Sequence, residues 1–219
     1  MIDFHSHTLF SDGVLVPSEL ARRAKVAGYE VLGITDHVDR SNIDFVIPRI
    51  KAVCEDLSRK AGLLVIPGVE LTHIPPEDFA ELTLLARGMG IELVIAHGET
   101  LAEPVKPGTN HAAIEAGVTI LAHPGLITLD EARRAASKNV FLEISSRKGH
   151  CLANGHVALL ARQAQAKLVI DTDTHEPADL ISREYAGSVL AGAGLELSEM
   201  RQVLEVNAWE LARKFGYGQ

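Results

Sequence analysis

Seven short apolar runs recur at near-regular intervals along the chain, at residues 1–4, 31–35, 63–66, 93–96, 118–122, 140–144 and 168–170. They are brief, rich in β-branched residues and mostly apolar on both faces, as parallel strands covered by helices should be. Between them lie stretches with helix start and stop signals. Pro17 suits a first helical position and Gly28 a C-terminal stop, framing residues 17–27. Ile50, Val53, Cys54 and Leu57 form a helical stripe after Pro48, Thr128 and Glu131 fit a capping box ahead of residues 132–137, and residues 154–164 read as a further helix. The tail turns to helices alone, at 177–191, 198–205 and 207–215, with Asn207 and Glu210 as another capping box. Alternating strands and helices mean a parallel sheet, either open and doubly wound or closed as a barrel. No Gly-x-Gly-x-x-Gly or Walker-type loop follows any strand, which counts against a nucleotide-binding fold. No linker or low-complexity tract divides the array, so residues 1–219 read as a single domain.

Composition removes several classes. Two cysteines, Cys54 and Cys151, cannot supply a disulfide framework or a thiolate metal cage. No apolar run approaches the ~18 residues of a membrane span. The start Met1-Ile2-Asp3-Phe4-His5 is no signal peptide, so a cytoplasmic, membrane-free protein is expected. A net charge of −8 without any basic block argues against a polynucleotide partner. Oligomeric state stays open, a homo-oligomer included.

The ten histidines carry more information. Each run leads into a side chain able to ligate a metal: His5 and His7, Asp36 and His37, Glu70, His97, His123, Glu143, and Asp173 with His175. In a (β/α) barrel the carboxyl ends of all strands meet on one face, and that face carries the chemistry. One histidine at a strand end is ordinarily a hydrogen-bonded core residue; agreement at every strand end is not. The period-two pleat sends both imidazoles of His5-Ser6-His7 to one side. Asp12 lies in the Ser11-Asp12-Gly13 turn, where a carboxylate alone would be an ordinary turn residue. Imidazole plus carboxylate without thiolate suits Zn²⁺, Mn²⁺ or Fe²⁺.

Together these motifs resemble the PHP (polymerase and histidinol phosphatase) superfamily. The resemblance rests on Asp3-Phe4-His5-Ser6-His7, Ser11-Asp12-Gly13, Ile34-Thr35-Asp36-His37, Pro67-Gly68-Val69-Glu70, Ala96-His97, Ala122-His123-Pro124-Gly125 and Asp171-Thr172-Asp173-Thr174-His175, in family order from residue 1 to about 190. It implies a distorted (β/α)₇ TIM-like barrel, here with extra C-terminal helices, and a site for three divalent ions. His5, His7, Glu70 and Asp173 would hold the first ion. Glu70 would bridge to a second, completed by His97 and His123, and Asp12, His37 and His175 would hold the third. Some family members place a histidine where this chain has Asp12. The implied reaction is phosphoester hydrolysis by metal-activated hydroxide.

The remaining candidates follow from position. Asp3, Asp36 and Glu143 are expected behind the ligands, orienting imidazoles. Arg147 and Lys148 follow the sixth strand and could grip phosphate, Arg147 first because its fork matches phosphate oxygens. His73, His111, His150 and Asn154 lie in loops that could reach substrate, while His156 and Cys54 read as structural and Cys151 has no evident base beside it. The loop 98–109, with Pro104, Pro107 and Gly108, is long enough to cover the mouth. The expected function is a phosphatase of a small phosphorylated metabolite of the histidinol phosphate type. The rivals are a nucleotide phosphatase or 3′–5′ exonuclease, a non-catalytic metal-binding module and, further off, an amidohydrolase.

Overall fold

A computed structural model describes residues 1–218. Eight parallel strands form the centre: β1 (Ile2–Asp3), β2 (Val31–Ile34), β3 (His37–Val38), β4 (Leu64–Leu71), β5 (Leu93–His97), β6 (Ile120–Ala122), β7 (Phe141–Ser145) and β8 (Leu168–Asp171). Seven of them run in the order β1-β2-β4-β5-β6-β7-β8, and the short β3 pairs with the upper half of β4, His37 opposite Glu70. The sheet curls into a nearly closed barrel, so the closed alternative holds rather than the doubly wound one.

The seam between β1 and β8 is closed largely by side chains. Asp171 Oδ1 accepts from Phe4 N at 2.7 Å, and Asp3 Oδ1 accepts from Thr172 N at 3.2 Å. Above them Ser6 bridges Thr174, and His7 N donates to Thr174 O at 2.8 Å.

Strand alternation explains both the core and the site. Leu93 and Ile95 of β5, Ile120 and Ala122 of β6, Phe141 of β7 and Val169 of β8 fill the barrel interior, while Val94, Leu121, Leu142 and Ile170 face the helices. Every second residue points inward. Continuing each inward stripe up its strand reaches Glu70, His97, Glu143 and Asp171, so the interior is apolar below and ionisable above.

The surrounding helices are α1 (Pro17–Val26), α2 (Ile43–Lys60), α3 (Phe79–Gly88), α4 (Thr109–Ala116), α5 (Leu129–Lys138), α6 (Asn154–Ala164) and α7 (Arg183–Gly192). None is long and apolar enough to cross a membrane, among the described residues. The capping box at Thr128 and Glu131 forms as expected, Glu131 N donating to Thr128 Oγ1 at 3.2 Å.

Three readings need correction. Pro48 lies inside α2 rather than ahead of it, five residues beyond the helix start. The helix expected from 177 is one tight turn, Pro177–Asp179, broken by an extended Leu180, with α7 starting afresh behind a Ser182 cap. Asn207 caps nothing: α8 (Leu197–Arg201) runs through a π-helical turn, Gln202–Asn207, into α9 (Ala208–Lys214). The wider turn puts Asn207 Nδ2 on Leu168 O at 2.8 Å. Ala208, Leu211 and Ala212 then close the bottom of the barrel.

Gly125 marks where two mouth loops meet. Its φ is +60°, and a Cβ there would lie 1.8 Å from Glu99 O. Gly125→Ala is therefore expected to lower stability by about 3 kcal/mol, combining backbone strain with a backbone clash. Chemical denaturation checks it; a loss below about 1 kcal/mol would mean the two loops part easily.

Candidate metal centre

All the histidines except His111 and His156 converge at the carboxyl mouth. The rings of His7 and His175 lie 4.1 Å apart, those of His7 and His37 4.2 Å, and those of His123 and His150 4.1 Å. Glu70 sits among them, fully buried. Its Oε2 is 3.3 Å from His5 Nε2, 3.6 Å from His7 Nε2 and 2.7 Å from His37 Nδ1, while Oε1 faces His123 Nε2 at 3.7 Å. Asp173 Oδ1 approaches His7 Nε2 at 3.2 Å and His5 Nε2 at 3.6 Å. Asp12 reaches in from the first loop, its Oδ1 3.1 Å from His175 Nε2 and 3.4 Å from His37 Nε2.

The local backbone is bent to achieve this. Asp173, His123 and His73 have φ of 51°, 28° and 52°. These left-handed conformations, unfavourable for side chains with a Cβ, concentrate where a site over-determines the chain.

Hydrogen bonds fix which ring nitrogen faces the centre. Glu143 Oε1 accepts from His5 Nδ1 at 2.7 Å, turning Nε2 toward Glu70, and its Oε2 accepts from His123 N at 2.9 Å. His175 Nδ1 donates to Asp173 O at 2.9 Å, freeing Nε2. Such outer partners are what orient imidazoles for metals. Asp3 and Asp36, expected in the same role, touch no imidazole. Asp3 serves the barrel seam, and Asp36 takes Thr8 N, Thr8 Oγ1 and Ser11 Oγ at 2.7, 2.8 and 2.7 Å, ordering the loop that carries Asp12.

The electrostatics are frustrated without a cation. Burial pushes the Glu70 carboxyl up, but His5 and His37 more than offset it and hold it well below the usual range. Burial raises Asp173 to about 7. Burial and neighbouring His37 hold His7 neutral, and burial with His97 does the same for His123. The buried atoms His5 Nε2, both nitrogens of His7, His97 Nδ1, His123 Nδ1 and Glu70 Oε1 have no hydrogen-bond partner. Each orphaned polar atom costs about 1–3 kcal/mol. Donor atoms of His5, His7 and Glu70, of His5, His123 and Asp173, of His7, Asp12, His37 and His175, and of His97, His123 and His150 each lie within 4.8 Å of one another. A donor set of imidazoles and carboxylates gathered this closely, without thiolate, fits divalent transition ions.

The substrate candidates divide. Arg147, His73 and His150 line the cavity over this cluster, and Lys148 lines the neighbouring cleft with Asp12 and His175. Lys148 is exposed and makes no hydrogen bond or ion pair among the described residues. Arg147 is largely committed: its Nη1 donates to Asp173 O at 3.0 Å and to Asp179 Oδ2 at 3.4 Å. That same Asp179 oxygen accepts from His175 N at 2.9 Å, so Arg147 braces the Asp173–His175 segment. His111 is exposed on α4 and lies outside the cavity. Asn154 caps the end of β7 through Ser145 rather than facing substrate. His156 is structural as read, on Ile127 O at 2.7 Å.

Sequence reasoning missed Glu103 and Asp179. Glu103 comes from the mouth loop, its Oε2 2.8 Å from His73 Nε2 and 3.2 Å from His97 Nε2 and its Oε1 3.4 Å from His150 Nε2. His97 above all holds its carboxyl down at about 2. Its position ahead of Pro104 in a loop flanking the His97 strand was the signal available.

A parallel barrel with this donor set at its carboxyl mouth defines a metal-dependent hydrolase. The chain belongs to the PHP family, whose domain matches residues 3–214. The uncharacterized protein MJ1295 of Methanocaldococcus jannaschii is 46% identical over 204 residues, covering 92% of this chain and 94% of that protein. A 5′-3′ exoribonuclease of Haemophilus influenzae is 37% identical over only 70 residues, 32% of this chain and 23% of the nuclease. Among solved structures, a candidate histidinol phosphatase from Listeria monocytogenes superposes with a TM-score of 0.59 at 12% identity, covering 85% of this chain and 99% of that one. An amidohydrolase superposes with a TM-score of 0.62 at 15% identity, covering 97% of this chain and 74% of that one. These structural likenesses bear on the fold alone.

Proposed function

We propose that the chain is a metal-dependent phosphatase of small phosphomonoesters, histidinol phosphate being the type, built around three divalent ions. The observation that carries it is the pair of unpartnered, buried Nε2 atoms of His5 and His7 turned onto Glu70, whose Oε1 is itself unpartnered. His5, His7, Glu70 and Asp173 would hold one ion, Glu70, His97 and His123 a second, and Asp12, His37 and His175 a third. Bound there, Zn²⁺, Mn²⁺ or Fe²⁺ supplies Lewis acidity to the phosphoryl oxygens and acidifies the attacking water. Glu70 turns one oxygen to His5 and His7 and the other to His123, the disposition a bridging carboxylate needs. Glu143 keeps His5 Nε2 turned inward. Arg147 holds Asp173 and His175 in place, and Lys148, exposed in the adjoining cleft, offers the donor for the ester's oxygens.

The cavity over the cluster is about 220 Å³, room for a phosphate and a small alcohol. The adjoining cleft carries Arg147 and Lys148 but also Asp12, Glu176 and Asp179, and the exposed aromatics Phe45 and Tyr185 lie on α2 and α7. Proteins that track single strands combine a basic groove with stacking rings. A nucleotide-sized substrate is the second reading, motivated by the local likeness to the exoribonuclease.

The deciding experiment is a panel of phosphomonoesters, nucleoside monophosphates and end-labelled RNA, with Mn²⁺ or Zn²⁺. Phosphate release from small esters without shortening of RNA is expected; RNA shortening with no phosphate from small esters would overturn it. Lys148→Ala should raise KM about tenfold, the worth of one charge-assisted hydrogen bond, with metal content unchanged. An unchanged KM would remove Lys148 from the substrate side.

A further inference from the structure

We propose that Glu103 is a loop-borne ligand to the divalent ion expected at His97 and His123, and that this ion fastens the 98–109 loop across the barrel mouth. The proposal rests on reading the mouth as a divalent-metal centre. Three observations carry it.

The first is spacing. The 3.2 Å between Glu103 Oε2 and His97 Nε2 equals that between Asp173 Oδ1 and His7 Nε2 at the heart of the cluster. Donor atoms of His73, His97 and Glu103 lie within 4.8 Å of one another, and so do those of His97, His123 and His150. His97 belongs to both sets and is almost fully buried, so the Glu103 carboxylate stands against the same imidazole that faces His123.

The second is partner choice. Both oxygens of Glu103 face imidazoles, and among the described residues no lysine or arginine pairs with it. The loop's own cation, Lys106, turns away to Glu77 at 3.3 Å. A half-exposed carboxylate gains little from giving up its rotamer freedom to face three rings, since exposed pairs contribute about 0–1 kcal/mol. A shared cation supplies the gain. His73, 2.8 Å from Oε2, and His150, 3.4 Å from Oε1, then aim the carboxylate rather than neutralise it.

The third is the build of the loop. It is tethered at its ends: Glu99 Oε1 accepts from Gly108 N and Asn110 N, both at 3.0 Å, and Thr100 Oγ1 bonds His150 Nδ1 at 2.8 Å. Between the tethers the side chains are mostly exposed, and Glu103 is the loop's contact with the ligand cluster. Pro104 restricts the Glu103 backbone to extended conformations, presetting how the side chain is offered.

Hydrogen exchange on the full chain, combined with calorimetric Mn²⁺ and Zn²⁺ titration, tests this without any assay of turnover. In the wild-type protein, saturating metal should slow exchange of the 101–107 amides about tenfold or more. In Glu103→Gln that protection should vanish, and one class of ion should bind about 10–100-fold more weakly while the others keep their affinity. His73→Ala should give a smaller loss in the same class. Metal bound without any change in loop exchange, or wild-type affinities throughout in Glu103→Gln, would overturn the role of Glu103 and leave the centre standing. A wild-type chain that binds no divalent ion would overturn both. Glu103 is half-exposed on a loop, so its replacement leaves the barrel intact.

Discussion

Glu70→Gln is expected to lower turnover of the preferred phosphomonoester by about 10³-fold or more, equivalent to about 4 kcal/mol in the transition state. It should also deplete the chain of divalent ions. Glutamine keeps the shape of the side chain but loses its charge, and one of its two oxygens becomes an amide that can only donate. At this position the lost oxygen matters either way round. Turned toward His5, His7 and His37, the amide meets nitrogens 3.3, 3.6 and 2.7 Å from the carboxylate it replaces. Turned toward His123, it removes the only Glu70 oxygen on that side. Elemental analysis after dialysis and steady-state kinetics at saturating Mn²⁺ check the two halves separately. A variant with full metal content and full turnover would deny Glu70 any part in the centre.

The second large effect is on stability. Asp3→Ala should destabilise the metal-free chain by about 4 kcal/mol, measured by denaturant titration in the presence of a chelator. Asp3 is fully buried and accepts from Thr172 N, Thr172 Oγ1 and His5 N. Alanine would leave those donors orphaned where water cannot reach, and the β1–β8 seam has few ladder bonds to fall back on. A cost under about 1 kcal/mol would show that the seam is held by other contacts.

Much of this was legible in the residues because two periodicities coincide. An inward-facing position recurs every second residue, so Leu93-Val94-Ile95-Ala96-His97 by itself declares a strand whose top carries an imidazole. The same arithmetic places Glu70 and Glu143. What escaped reading depends on contacts between segments far apart in sequence. α3 and α4 carry no strong start signal. Pro48 misleads because proline is tolerated near a helix start, where few backbone donors are needed. Asn207 looks like a cap, but the π turn and its bond to Leu168 O override the local pattern. Asp3, Asp36 and Glu143 are all carboxylates beside ligands, and only their partners separate the one that holds an imidazole from the two that hold backbone and hydroxyls. Arg147 read as a free phosphate fork; the positive φ of Asp173 lets the Asp173 carbonyl turn toward it and engage it. Glu103 stands on a loop whose course no local rule specifies.

The seam at β1 and β8 bears on how the molecule is made. His5 and His7 stand more than 160 residues ahead of Asp173 and His175, as the 169-residue separation between Asp3 and its partner Thr172 illustrates. A donor set drawn from both segments cannot assemble until the long stretch between them has folded. Contacts of such high sequence separation are slow to form, since the entropy of closing the loop comes before any reward. Under the proposed function, metal uptake would come late in folding and the ions would act as a clasp on a ring whose seam is otherwise held by two buried aspartates and the Ser6–Thr174 bridge.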